Sequence, residues 1–166
     1  IVSNAAGTYA NLTREPGFPG RDESIHNFCL TAQRLRPKIC LIVEGQLRSL
    51  SPTWIDRLGR PIYEQGEDYV VPLYRRHRYE GTLATNLLYP LTRALYGKRL
   101  RFPSGGACAL SGKFAGDLIA RPTWRGPAAK YSVDSRLTTA ALVGGYRVCH
   151  TCLGTRDQES TLGAVD

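Results

Sequence analysis

Residues 38–43 read KICLIV, a continuous apolar run bounded by Pro37 and Gly45. Six residues are too few for a buried helix, and the run is rich in residues that favour strands, so it reads as a buried β-strand. A strand without a polar face must be covered by other elements, which constrains the rest of the chain to supply them. The neighbouring sequence does. Residues 23–35 carry Ile25, Phe28, Cys29 and Ala32 at helical spacing. Ser51-Pro52 is a helix start, a serine N-cap followed by a proline whose missing N–H does no harm there. That helix is expected to carry Trp54, Ile55, Leu58 and Ile62 on one side, with a kink or break at Pro61.

Further along, residues 68–73 (DYVVPL) predict a second strand and residues 82–96 a helix despite Pro90. A turn over 102–106 leads to a short strand and a helix near 113–119, and residues 122–127 read as a loop. A helix over 134–143, closed by Gly144-Gly145, precedes a last strand over 146–153, and the polar tail from Gly154 is expected to be loose. Strands alternating with helices predict an α/β fold with a mostly parallel sheet flanked by helices, in one domain spanning residues 1–166. In such a sheet ligands bind beyond the carboxyl ends of strands. The chemistry is therefore expected after Val43, after Leu73, around Gly105-Gly106 and after Leu153.

The chain has 22 Lys and Arg against 14 Asp and Glu, a formal net charge of +8, which points to anionic partners. The excess is concentrated between Arg75 and Arg101, where Arg75, Arg76, Arg78, Arg93, Lys98, Arg99 and Arg101 face one acid, Glu80. No apolar run approaches the ~18–20 residues of a membrane helix, and no basic-then-apolar leader opens the sequence, so a soluble, cytoplasmic protein with no membrane partner is expected. Five cysteines without a leader argue against a disulfide framework. The lone CxxC at Cys149 and Cys152 lacks a second pair for zinc, and Cys149 reads as a buried structural thiol. The sequon at Asn11 carries no weight without secretion.

Several segments, in order, carry a resemblance. Leu47-Arg48-Ser49-Leu50-Ser51-Pro52-Thr53-Trp54-Ile55 resembles the DLRSxxPEWI stretch of a glycosyltransferase group. Tyr69 to Tyr74, Arg76-His77-Arg78-Tyr79-Glu80-Gly81-Thr82 and Tyr89-Pro90-Leu91-Thr92-Arg93-Ala94-Leu95-Tyr96-Gly97-Lys98-Arg99 follow the same order. Gly105-Gly106, Ser111-Gly112, Asp134 with Thr138-Thr139, and Cys152-Leu153-Gly154 complete it. Over roughly residues 21–163 the chain resembles the GT-A-type, Rossmann-like nucleotide-sugar glycosyltransferases, nearest to glucosyl-3-phosphoglycerate synthases and their bacterial and archaeal relatives.

The resemblance implies transfer of a hexose from a nucleotide-sugar to a small phosphorylated or carboxylated acceptor such as 3-phosphoglycerate, with Mn²⁺ or Mg²⁺ stabilising the leaving diphosphate. It assigns Asn4, Gly7, Glu44 and Gln46 to the donor, Glu44, Gln46 and Gln158 to the metal, and Asp134 to catalysis. It assigns Arg76, His77, Gly81, Thr82, Lys98, Gly105 and Gly106 to the acceptor. It also implies that the chain starts at the relatives' second strand, an N-terminal truncation whose exposed sheet edge favours a homodimer.

This sequence departs from the pattern where the metal and nucleotide bind. The DxD position reads Glu44-Gly45-Gln46, the family histidine aligns with Gln158, the acid after Gly-Gly is Ala107, and both acids of the N-terminal segment are absent. A second reading is therefore a catalytically inactive relative that binds or regulates. A third, nucleic-acid binding, follows from charge alone, with no recognition helix or interleaved aromatics to accompany it. Among single residues, His26 reads as packing or surface, His77 as ligand-facing and His150 as projecting from the last strand. Trp54 and Trp124 read as anchors, Trp124 with the further option of flanking an acceptor site.

Overall fold

The structure is a computed structural model and describes residues 2–3, 9–10, 21–43, 49–75, 84–101, 106–121 and 132–155. Its elements run β1 (Val2–Ser3), β2 (Tyr9–Ala10), α1 (Arg21–Leu35), β3 (Ile39–Val43), α2 (Pro52–Gln65) and β4 (Tyr69–Arg75), then α3 (Tyr89–Tyr96), β5 (Ala107–Ser111), α4 (Gly112–Ile119), α5 (Val133–Val143) and β6 (Val148–Thr155). A π-helical turn at Ala84–Leu88 leads into α3. The sheet order is β2-β1-β3-β5-β4-β6. No helix among the described residues is long and apolar enough to cross a membrane.

Strand alternation sorts the side chains into two cores, one on each face of the sheet. Cys40 of β3, Tyr69 and Val71 of β4, and Cys108 and Leu110 of β5 face α1, α4 and α5, where they meet Phe28, Phe114 and Leu137. Val70 and Tyr74 of β4, Ala107 and Ala109 of β5 and Leu153 of β6 face α2, where Trp54, Leu58 and Ile62 are buried. The Trp54 and Tyr74 rings lie 5.5 Å apart. The expected α/β layering is present, and the strand read from KICLIV is β3, of which Cys40 is buried and the other four residues are half-buried.

The direction of pairing differs from the mostly parallel sheet expected. β3, β4 and β6 share one direction, but β5 inserts between β3 and β4 and pairs antiparallel with both, leaving β4–β6 as the one parallel pair among the described residues. β5 follows α3 in the chain and runs directly into α4.

Pro72 shapes the middle of the sheet. β4 lies between β5 and β6, yet its ladder with β5 is confined to Tyr69↔Leu110 and Val70↔Ala109. Proline has no N–H to donate, and from Val71 onward β4 pairs with β6 alone among the described residues, with a register shift between Leu73 and Tyr74.

Pro61 does not break its helix. α2 continues past Pro61 to Gln65 because Leu58 and Ile62, on either side of it, are both buried. Pro90 falls in the first turn of α3, and the helix expected over 82–96 despite it is present as the π-helical turn and α3 over 84–96. Ile55, expected on the packed side of α2, is 48% exposed. β6 extends through Gly154 and Thr155, residues read as the start of the tail, and the remainder of that tail lies outside the described residues.

A knot of polar contacts closes the end of the sheet where β4 begins. Asp68 Oδ1 accepts from Ser111 Oγ at 3.0 Å, and Oδ2 accepts from the Arg147 N–H at 3.1 Å. The Asp68 carbonyl accepts from Ser111 N–H at 2.8 Å, while its own N–H donates to the Arg147 carbonyl at 2.9 Å. Ser111 Oγ also accepts from Phe114 N–H at 3.1 Å, capping α4.

Beside that cap, α4 begins in contact with the chain entering β3. A Cβ on Gly112 would collide with the Pro37 carbonyl oxygen, whereas one on Gly116, in the same helix, would meet only Gln33 Cγ at 4.0 Å. Gly112→Ala is therefore expected to cost about 2 kcal/mol or more, and Gly116→Ala to stabilise by about 0.5–1 kcal/mol. Chemical denaturation of the two variants beside the parent measures both, and equal stabilities would contradict the close approach.

Cys29 and Cys40 are wholly buried, and burial pushes both thiols up to about 12. Cys108 is buried in the same core, and Cys149, half-buried on β6, is pushed up to about 11 by burial. Cys152 is exposed. A disulfide reagent at about pH 8 should therefore label one thiol of the native protein quickly and the others only on unfolding. Rapid modification of two or more would contradict this core.

Candidate functional site

The topology gathers the four places picked out in the sequence at one end of the sheet. Val43, the last residue of β3, pairs with Ala107, the first of β5. Arg75, the last residue of β4, pairs with Thr155, the last of β6. Because β5 is antiparallel, its beginning lies where the other three strands end. Gly106 immediately precedes it, buried and with φ +75°, a left-handed conformation that favours glycine.

Asp134 belongs to the same end. α5 passes through Gly144 and Gly145 directly into β6, so helix and strand run in opposite directions. An 11-residue helix spans about 16 Å, which carries its first turn back toward the ends of β4 and β6. Asp134 sits in that turn and is 7% exposed. A buried carboxylate is favoured there by the positive end of the helix. Its charge reaches the sheet: the buried Tyr69 hydroxyl is raised well above its ordinary value, first by burial, then by Cys108, with Asp134 adding to the rise. Thr138, one turn further along α5, lies with its Oγ1 3.5 Å from that hydroxyl. Arg136 is also 7% exposed, so α5 buries an acid, a base and a hydroxyl within five residues.

Lys98 is exposed just beyond α3, on a segment with exposed Arg99 and Arg101 and buried Leu100. His150, in the middle of β6, meets that segment: the Arg101 backbone N–H donates to His150 Nε2 at 3.1 Å. Nothing in the sequence pairs these two positions, which are 49 residues apart. Trp54 is the buried anchor expected, and His26 is half-buried on α1.

Asn4, Gly7, Glu44, Gln46, Arg76, His77, Gly81, Thr82, Gly105, Trp124 and Gln158 lie outside the described residues. Of the residues assigned from sequence, Asp134, Lys98 and Gly106 are therefore the ones whose surroundings can be stated. No group of three or more His, Cys, Asp or Glu suited to a metal occurs among the described residues. The residues assigned to the metal are one carboxylate and two neutral amides. That donor set does not fit a Mn²⁺ or Mg²⁺ ion that must be held against a diphosphate.

A groove of about 400 Å³ lies elsewhere, between α2 and β6, lined by Asp56, Arg57, Arg60 and residues 149–152. Arg57 Nη1 donates to the Cys152 carbonyl at 3.0 Å, and Arg60 pairs with Asp56 at 3.0 Å. Sequence patterning gave no sign of this groove, and its exposed ion pair contributes little.

Two solved structures of glucosyl-3-phosphoglycerate synthase from Mycobacterium tuberculosis resemble this chain with a TM-score of 0.62 at 24% identity. One is in complex with Mn²⁺, UDP and phosphoglyceric acid, the other with Mn²⁺, UDP-glucose and phosphoglyceric acid. The matches cover 88% of this chain and 48% and 49% of theirs. A structure of a mycobacterial protein gives a TM-score of 0.57 at 22% identity, over 89% of this chain and 47% of its own. No protein-family model matches the chain, and no curated protein does. The chain spans about half the length of the solved structures it resembles. With the ends of three strands, the start of the fourth and the acidic turn of α5 gathered as described, the chain has the fold of GT-A glycosyltransferases over that half.

Proposed function

We propose that this chain acts as a glycosyltransferase, taking a hexose from a nucleotide-sugar and transferring it to a small phosphorylated or carboxylated acceptor, with 3-phosphoglycerate as the model acceptor. The observation that carries the reading is the likeness, over 88% of the chain, to synthase structures holding UDP-glucose and phosphoglyceric acid. The end of the sheet where β3, β4 and β6 stop is where that chemistry belongs in an open α/β sheet.

In this reading Glu44 and Gln46, with Asn4 and Gly7, face the donor. The acceptor meets Arg76, His77, Gly81, Thr82, Lys98, Gly105 and Gly106, and Asp134 acts as the base or acceptor-orienting acid. Glu44, Gln46 and Gln158 make a poor donor set for a divalent metal. Neutralising the leaving diphosphate falls instead to the basic cluster, of which Arg75, Lys98, Arg99 and Arg101 are exposed. The same donor set favours a second reading, a relative that binds nucleotide-sugar without turning it over.

Calorimetric titration with UDP-glucose and GDP-mannose, each with and without Mn²⁺, tests both. Micromolar binding of one donor supports the site, and turnover reduced about 100-fold or more by Asp134→Asn supports catalysis. Binding without turnover selects the second reading, and silence in all four titrations overturns both. The homodimer belongs to this reading too, paired through a sheet edge, and light scattering that gives a monomer at high concentration removes it.

A further inference from the structure

The segment 98–101 leaves α3 through Gly97, whose φ of +65° ends the helix, and two anchors hold it. Leu100 is 3% exposed, in the core shared with α1, α4 and α5. One residue later the Arg101 N–H donates to His150 Nε2 at 3.1 Å. Lys98, Arg99 and Arg101 are exposed around these anchors, and the sequence from 81 to 116 contains no acid. A strongly basic stretch of backbone is thus held by one apolar plug and one imidazole.

The imidazole can do this in one protonation state. Accepting at Nε2 needs a lone pair there, so the neutral ring carries its proton on Nδ1. The imidazolium has N–H groups at both positions and can only repel the Arg101 N–H. We propose that His150 is a positioning residue that holds the basic segment 98–101 against β6 in its neutral form and releases it when protonated.

Burial and the Arg101 charge favour the neutral form of His150. Arg101 lies on the held segment itself, Arg57 and Arg60 of α2 line the same groove with Asp56 as the acid among them, and Cys149 and Cys152 flank it on β6. Its partner across the sheet, Val71, brings no charge. Burial, then the Arg101 charge, lower the imidazole from its ordinary 6.5. A lowered value means the ring is neutral near pH 7, and the bond is lost as pH falls below the ordinary histidine range. This runs against simple electrostatics, in which protonating a histidine in a basic patch strengthens anion binding. The fastening stands independently of the functional reading, whereas its effect on a phosphorylated ligand rests on that reading.

Amide hydrogen exchange tests the fastening, with rates corrected for intrinsic pH dependence. At about pH 7 the Arg101 amide should exchange about tenfold faster in His150→Phe than in the parent, and His150→Gln, whose side-chain oxygen accepts but does not titrate, should keep the protection. Between about pH 7 and pH 5 the parent should lose protection while His150→Gln does not. Equal protection in parent and His150→Phe, or a pH dependence that survives in His150→Gln, overturns the proposal. Should His150→Phe not fold, the comparison of parent with His150→Gln decides by itself. Titration with 3-phosphoglycerate over the same range should show affinity falling with acid more steeply in the parent than in His150→Gln, where only the ligand's own phosphate titrates. If exchange behaves as expected and this titration does not, the segment is fastened by His150 and the acceptor assignment is what fails.

Discussion

Asp68 stands at the entry to β4 and makes contacts through both carboxylate oxygens, its carbonyl and its N–H. Through Ser111 it fixes the end of β5 and the first turn of α4, and through Arg147 it fixes the approach to β6. Three strands and a helix are thus registered against one another by a single short side chain. Hydrogen bonds to a charged acceptor are about twice as strong as neutral ones, and these converge where the chain enters or leaves the sheet rather than in mid-strand. Two cores form on either side of strands whose relative positions are set at this end.

What is set at one end determines what gathers at the other. Once Tyr69 is registered against Leu110 and Val148, the places where β3, β4 and β6 stop follow from their lengths. The turn of α5 that bears Asp134 is brought to the same place by the short Gly144-Gly145 connection. Chemistry in this fold depends on segments between elements, positioned by elements that are themselves held far away. The His150–Arg101 bond is an exception, since it fixes a basic segment directly to the middle of a strand.

Much of this was legible in the sequence because it depends on local signals. The apolar run at KICLIV, the Ser51-Pro52 start and the 3-4 spacing of Ile25, Phe28, Cys29 and Ala32 each declare an element without reference to the rest of the chain. The direction of β5 was not legible: ACALS has the same composition whichever way it runs, and only its neighbours in space decide. Pro61 misled for a related reason. Proline marks a missing donor, but whether a helix ends there depends on the burial of its neighbours, here Leu58 and Ile62, or on where its first turn falls. The end of the sheet proposed for the site follows from the reading of strands alternating with helices. The pairing of Arg101 with His150 was not legible, because contacts between residues far apart in sequence leave no periodic trace.

Pro72 gives the sheet unequal stiffness along its length. Near Asp68, strands β3, β5, β4 and β6 are cross-linked side by side, and sliding one past another would break several bonds at once. Beyond Val70 the described ladder between β4 and β5 has stopped, so the sheet there consists of two ribbons, β3 with β5 and β4 with β6, joined at their base. Shear between the ribbons meets the least resistance at the end where the strand termini gather. Such a sheet behaves as a clamped fork: its tines can part or close to suit what lies between them, while the clamp, and both hydrophobic cores behind it, keep their shape.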